Sequence, residues 1–289
     1  MKTPTYFRID VFVTQCMLFL LASSSLYAQS WQNGRYMKQA INETMVKAVL
    51  AEQSTSAGFA NGICFLGAIL KKGHEVGWTT TLMGDQEYIF IGGGDQDATD
   101  VDISVSNTPG TLLAKDTQSD KTPIVQFTPT RTGQYTIKLK LYSGDNDSFC
   151  CMAILKEGGN RVPAGNLDNV VGKIINYGAR ANEQKGGAKF HDLTNQWCMY
   201  GAILDEGSKT EIENLNLGYQ NHAFLAAGDQ NSEDLDLYLL RNETEIKKDT
   251  DSDSVPNVVS ETYGSNYGLK VKNHASSGKT FAMFCILTM

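Results

Sequence analysis

The chain reads as a mainly β protein: two tandem antiparallel β-sandwich domains of jelly-roll type, each preceded by one amphipathic α-helix. Three observations lead there. The first is an internal repeat. GGGDQDATDVDISV at 92–105 returns as AAGDQNSEDLDLYL at 226–239, an offset of 134. Laid on one another without a gap, residues 64–103 and 198–237 agree at fourteen of forty positions, among them Cys64/Cys198, Gly67/Gly201, Gly84/Gly218, Phe90/Phe224, Asp95/Asp229, Asp100/Asp234 and Asp102/Asp236. Solenoid repeats have periods of about 20–50 residues. This period is far longer, and each copy is long enough to own a core. The second observation is strict alternation. Val101, Ile103 and Val105 alternate with Asp102 and Ser104, and Tyr135, Ile137, Leu139 and Leu141 with Thr136, Lys138 and Lys140. Period two marks strands with one buried and one wet face. The third is a helical stripe ahead of each copy, again at offset 134.

Residues 1–28 stand apart from the fold. Lys2 and Arg8 precede the apolar run VFVTQCMLFLLASSSLYA, which ends in small residues. This predicts a secretory signal peptide cleaved after Ala28. A membrane anchor is the alternative, but the apolar core is short for a span of about 20 residues. The expected mature protein is exported, to the periplasm or beyond, and has no membrane span. The chain carries 32 acidic and 25 basic residues, net −7, with no basic run. That balance argues against a nucleic-acid surface.

The first module is expected over 29–160. Met37, Ala40, Ile41, Met45, Ala48 and Val49 recur at helical spacing, which predicts a helix over ~35–52. STSAGFANG then breaks it. Strands are expected near 63–71, 76–83, 86–92, 99–106, 111–115, 122–127, 133–142 and 148–156. Eight short strands with Gly, Asp and Pro turns indicate a jelly-roll sandwich. RVPAGN links the copies, and the second module is expected over 161–289. There Asn166 is placed to cap a helix whose Leu167, Val170, Val171, Ile174, Ile175 and Gly178 share a face. Met37 aligns with Val171, Ala40 with Ile174 and Ile41 with Ile175.

Some of these residues resemble a known family. Asp100-Val101-Asp102-Ile103, then Asp116 with Pro123, then Gly133-Gln134-Tyr135, is similar to the bacterial pre-peptidase C-terminal (PPC) domain. The second copy matches through Asp234-Leu235-Asp236-Leu237, Asp249, Pro256 and Tyr267, and departs at Asn266, where the family has Gly. The likeness covers ~86–142 and ~220–272. It implies a β-sandwich accessory module of secreted enzymes, with calcium, collagen or polysaccharide binding among relatives. Two modules and their helices use up the chain, so no catalytic domain is expected.

The acidic turn is the sharpest candidate site. Asp95, Asp97 and Asp100 lie close together and Asp102 follows on the polar face of the strand; the second copy offers Asp229, Asn231, Asp234 and Asp236. Carboxylates two apart on a strand project from one face, and calcium takes about six to eight oxygen ligands. A solvated turn that braces its own backbone is the competing reading. Five cysteines follow the signal peptide. Cys151 and Cys285 share a face by alternation, which suggests pairs Cys64–Cys151 and Cys198–Cys285 with Cys150 left over; five free thiols are the alternative. His74, His191, His222 and His274 are scattered, and neither GxSxG nor HExxH occurs. Trp31, Trp78 and Trp197 are read as a sugar-binding face or, more simply, as core. The expected protein is a non-catalytic binding module for a protein or carbohydrate surface. A self-assembling structural component is the alternative.

Overall fold

The computed structural model describes residues 31–289. The signal peptide expected over 1–28 lies outside them. The element order is α1 (Gln32–Ser54), β1 (Ala57–Phe59), β2 (Gly62–Leu70), β3 (Glu75–Leu82), β4 (Tyr88–Gly94), β5 (Ala98–Asn107), β6 (Leu112–Lys115), β7 (Ile124–Phe127), β8 (Gly133–Gly144) and β9 (Ser148–Glu157). The second copy follows with α2 (Ala164–Lys185), β10 (Lys189–Phe190), β11 (Met199–Leu204), β12 (Lys209–Leu215), β13 (Gly218–Gly228), β14 (Ser232–Arg241), β15 (Thr244–Asp249), β16 (Asn257–Gly264), β17 (Tyr267–Ser276) and β18 (Thr280–Thr288). Each of the eight expected strands of the first copy is present with ends shifted by at most two residues. The short β1 falls inside the stretch read as a helix break. Every pairing is antiparallel.

The layers follow from where the apolar faces point. A ten-stranded sheet runs β16-β13-β18-β11-β2-β9-β4-β7, with β1 beside β9 and β10 beside β18. Two four-stranded sheets, β3-β8-β5-β6 and β12-β17-β14-β15, each close a sandwich. The large sheet has both faces covered. Gly93 points at Ala40 and Thr44 of α1, while its neighbour Gly92 points at Pro123 and at Ile103 of the small sheet. The helices therefore cover one face and the sandwich partners the other. This explains why β4, β9 and β18 read as continuous apolar runs whereas β5 and β8 alternate.

The two sandwiches share the large sheet. β2 pairs with β11, and Leu66 lies opposite Tyr200, the same position of the two copies. Gly67 faces Met199 and Phe65 faces Gly201, so the two sides exchange under a local two-fold axis at that pair. The repeated glycines make the seam close. A Cβ on Gly67 would lie 2.7 Å from Met199 Cε, and one on Gly201 would lie 2.8 Å from Phe65 Cβ. Strands of both repeat copies thus lie in one continuous sheet.

The helices behave as their stripes require. Met37, Ala40, Ile41, Met45 and Ala48 of α1 are buried, as are Leu167, Val170, Val171, Ile174, Ile175 and Gly178 of α2. Asn166 is not the cap: Pro163 holds that position without a side-chain bond, and Asn166 is buried in the first turn, where it serves Asp229. Trp31 heads α1 and wedges against Gly34 and against Gly178 of α2, donating its indole N–H to Ala188 O at 2.7 Å. With Trp197 it is core, as the simpler reading had it; Trp78 is half-buried near Tyr200.

The predicted disulfides are not formed; all five cysteines are free and buried. Register explains this. Cys151 lies opposite Gly67, three residues along β2 from Cys64. At about 3.3 Å per residue that offset alone is ~10 Å, beyond the Cα spacing a disulfide spans. Cys285 lies opposite Met199 on the helix side, while Cys198 precedes β11 and turns its thiol to Gly67 O at 3.5 Å. The expectation that Cys151 and Cys285 share a face holds, since both lie in the row Gly93–Cys151–Gly67–Met199–Cys285–Leu225 across the sheet.

Candidate functional site

The repeated acids do local, matching jobs in both copies. Asp95 accepts from Asp97 N at 3.0 Å with one oxygen and from Phe149 N at 2.8 Å with the other. Asp229 accepts from Asn231 N at 3.0 Å, and its second oxygen takes Phe281 N at 3.1 Å and Asn166 Nδ2 at 2.7 Å. Each carboxylate thus pins the turn before a strand to the first residues of the last strand. Asp116 accepts from Gln118 N and Ile124 N, and Asp249 from Asp251 N and Asn257 N, which ties a loop to the first residue of each edge strand, β7 and β16. Asp120 and Asp253 each accept from the N–H two residues on, at 2.7 Å. These are Asx-type turns, in which short acids satisfy backbone donors.

The remaining predicted ligands divide. Asp97 is half-buried and meets Asn146 Nδ2 at 3.4 Å, while Asn231 donates to Lys279 O at 3.0 Å. Asp236 accepts from Tyr238 Oη at 2.9 Å and faces Lys272 at 3.9 Å. Burial, then the charge of Asp100, raises the Asp102 carboxyl above its ordinary pKa. Asp100 Oδ1 and Asp234 Oδ1, equivalent atoms of the two copies, are buried and have no hydrogen-bond partner. Burial and then the neighbouring Asp120 and Asp116 raise Asp100. Among the described residues, no three His, Cys, Asp or Glu side chains converge as a metal-holding group. A cation at Asp100 or Asp234 would therefore complete its shell with carbonyl oxygens and water, which calcium accepts.

The cysteines offer no nucleophile. Burial pushes each thiol well above its usual pKa, Cys150 included, so the thiolate is not available near neutral pH.

A second feature was not read from the sequence. β13 and β16 outrun their first-copy counterparts: β13 has 11 residues against 7 in β4, and β16 has 8 against 4 in β7. The added length is a two-stranded ribbon in which Gly218–Asn221 pair with Glu261–Gly264. Tyr219 and Tyr263 face each other across it, with ring centroids 6.0 Å apart and planes at 69°. Tyr219 is 83% exposed and Tyr263 45%. On the same face lie Asn221, Glu261 and the exposed Val259. Arg241 donates to Tyr263 O at 3.2 Å and Tyr267 Oη accepts from Tyr263 N at 3.0 Å, so the backbone under the rings is held. The first-copy counterpart of Tyr219 is Asp85. The ribbon therefore belongs to the second copy alone. A lone Tyr in LGYQNHAF carries no sign of its exposure.

Beneath the ribbon, two of the scattered histidines meet. His222 of β13 is fully buried and His191, just after β10, nearly so. His191 Nε2 lies 3.2 Å from Asn216 O, His191 Nδ1 lies 3.1 Å from His222 Nε2, and His222 Nδ1 lies 3.1 Å from Thr262 Oγ1. A carbonyl can only accept, so His191 Nε2 donates. With one proton on each ring, His191 Nδ1 accepts from His222 Nε2 and His222 Nδ1 accepts from Thr262 Oγ1; one more proton reverses both bonds and gives the Thr262 hydroxyl to Gly218 O or Gln220 O, each at 3.3 Å. Burial lowers both pKa values, that of His222 to about 4 with His191 adding to the effect.

No family model matches the chain. No curated protein matches it in sequence. Among solved structures it is similar to the tandem CBM51 modules of a family 98 glycoside hydrolase from Streptococcus pneumoniae, at 10% identity and TM-score 0.23, over 76% of this chain and 83% of that one. It is similar to an M60 catalytic domain with two CBM51 domains from Clostridium perfringens, at 10% identity and TM-score 0.23, over 79% and 37%. It is also similar to the CUB1-EGF-CUB2 domain of human MASP-1/3, at 7% identity and TM-score 0.21, over 78% and 100%. All three scores are too low to give this chain the fold or ligand of any of them. No helix among the described residues is long and apolar enough to cross a membrane.

Proposed function

We propose that this chain is an exported, non-catalytic binding protein of two PPC-like sandwich modules, and that the Tyr219–Tyr263 ribbon is its contact with a carbohydrate. The exposed tyrosine pair carries this reading. A sugar ring presents C–H groups on its faces and hydroxyls at its rim. Two rings at a wide angle offer one face to stack on and one edge to flank, while Glu261 and Asn221 supply hydrogen-bonding groups on the same surface. Exposed Tyr in a held backbone is also what binding hot spots favour, since little entropy is lost on contact. The sandwiches serve as scaffold, and the duplicated helices and sheet seam hold it rigid.

Binding to a panel of soluble and insoluble polysaccharides tests this. Tyr219→Ala should weaken binding about tenfold, roughly 1.4 kcal/mol, with Tyr263→Ala similar and the melting temperature unchanged. Binding that survives both substitutions, or a panel with no ligand and a partner protein on the ribbon instead, overturns it. The self-assembly alternative meets one edge of the large sheet, β16, that is partly covered. On β16, Lys247 Nζ donates to Val259 O at 2.8 Å and Arg241 to Tyr263 O, while Asp249 takes Asn257 N. Such covering disfavours strand addition at that edge.

Calcium at the twin turns is a separate part of the proposal. Its support is the pair of equivalent unpaired oxygens, Asp100 Oδ1 and Asp234 Oδ1. Calcium at about a hundred times its dissociation constant adds roughly 2.7 kcal/mol if it binds only the folded state. The expected result is a higher unfolding midpoint in calcium than in chelator, lost when Asp100→Ala and Asp234→Ala are combined. An unchanged midpoint leaves these turns as backbone clasps alone.

A further inference from the structure

We propose that the His191–His222 pair is an acid-sensitive latch at the base of the tyrosine ribbon, which frees the ribbon when both histidines are protonated. Release of a bound glycan on acidification rests on the carbohydrate reading above; the latch does not.

The latch joins three separate segments. His191 follows β10, Asn216 precedes the ribbon, and His222 and Thr262 lie in its two strands. Thr262 is the register partner of Gln220, one residue from Tyr219 on β13, and Thr262 itself adjoins Tyr263 on β16. Opening the chain at His222–Thr262 therefore unzips the residues that carry both rings. The first copy has no such pair: Tyr88 stands where His222 does, and its hydroxyl accepts from Met83 N at 3.1 Å.

Protonation disturbs this chain at a defined place. His191 Nδ1 has the only free lone pair facing His222, and that lone pair receives the His222 Nε2 proton. A proton added there opposes two N–H groups. His222 accommodates it by moving its own proton to Nδ1, with Thr262 donating to Gly218 O or Gln220 O, contacts already in place at 3.3 Å. A second proton on the pair finds no acceptor at the His–His contact.

Backbone hydrogen bonds to Asn216 and Gln220 favour the charged rings, and the rest of the surroundings offers little to hold a second charge. On the faces packed against the pair stand Ser260 from β16, Thr288 from β18, Phe224 from β13 and Asn216 with Gln196 from the loops. Asp192 is the ionised group whose field reaches His191, and it is paired with Lys189 at 3.8 Å. Glu261 is on the opposite face of its strand. A buried imidazolium with no carboxylate in contact favours an opened, hydrated ribbon. The low pKa values of both rings agree with that reading.

Hydrogen exchange from pH 7 to 4.5 tests it without any ligand. Amides of 219–222 and 260–263 are compared with those of 88–91 and 124–127, the β4–β7 pair of the first copy, which carries no ribbon and no histidine, so that intrinsic pH effects cancel. Acidification should raise the ribbon-to-reference exchange ratio about tenfold in the wild type and leave it unchanged in His222→Gln. A ratio that stays constant in the wild type, or rises equally in the variant, overturns the latch. If the variant does not fold, imidazole nitrogen shifts of the wild type decide: two neutral rings at pH 6 with the proton on Nε2 of each support it, and ordinary titration of both near pH 6.5 overturns it. Binding to the polysaccharide found with the panel should fall on acidification in the wild type only. Absence of any polysaccharide ligand at pH 7 removes the carbohydrate reading, while the exchange ratio still decides the latch.

Discussion

Asp229→Ala should cost about 3–5 kcal/mol of folding stability, the range for breaking a buried charged network. The change strips acceptors from Phe281 N, Asn231 N and Asn166 Nδ2 at once, at a site 1% exposed. Asp95→Ala should follow closely, since Phe149 N and Asp97 N lose the same support. Asp97→Ala, by contrast, should change stability by less than about 1 kcal/mol, because Asp97 is half-exposed and its one side-chain contact is long. Urea unfolding of the three variants checks the contrast. Equal losses across Asp229, Asp95 and Asp97 that appear only when calcium is present would make the turn an ion site and not a clasp.

Acidification should destabilise the wild type by about 2–3 kcal/mol more than His222→Gln between pH 7 and pH 4. His222 has its folded pKa lowered from 6.5 to about 4. The unfolded chain therefore binds the extra proton first as pH falls through 6.5, and the folded state follows only near 4. Stability is lost across that window and is fully present above it. The comparison must be made against the variant because Glu52 pulls the other way. Burial raises its carboxyl to about 7, so the folded state holds that proton longer and gains stability as pH falls from 7 toward 4.5. Denaturant unfolding at half-unit pH steps, taken as a difference between the two proteins, isolates the histidine contribution. A difference that does not change with pH would mean that His222 titrates as it does in the unfolded chain.

Much of the fold was open to reading because it rests on period and repetition. Alternation placed β5 and β8 within two residues at each end, since one face of each is buried on the small sheet and the other is wet. The helical stripes were legible for the same reason. The offset of 134 paired residues that do equal work, Asp95 with Asp229 and Gly67 with Gly201. What failed depended on register. Disulfide pairing needs the position of one strand along another, and a single step of register turns a side chain to the opposite face. Cys285 lies opposite Met199, and Cys198 just before that strand turns its thiol to Gly67 O instead. Asn166 looked like a cap because cap residues are short and polar, but its role is set by Asp229, 63 residues away.

The candidate sites divide along the same line. The acids were visible as a motif, but whether a carboxylate binds its own backbone or a cation depends on where the last strand places its N–H groups. The ribbon and the histidine pair left no local trace. Tyr219 and Tyr263 are 44 positions apart, and His191 and His222 are 31 apart.

Sequence alone determined the class of this protein. It is mainly β, duplicated, with a helix ahead of each copy, because burial on one face leaves periods of two and of 3.6 residues in the chain itself. Only the tertiary structure decided that the two copies share one sheet across Leu66 and Tyr200, that the cysteines stay apart, and that two tyrosines and two histidines meet at one end of the second copy. Those outcomes are set by contacts between strands distant in sequence, and such contacts write no period into either strand.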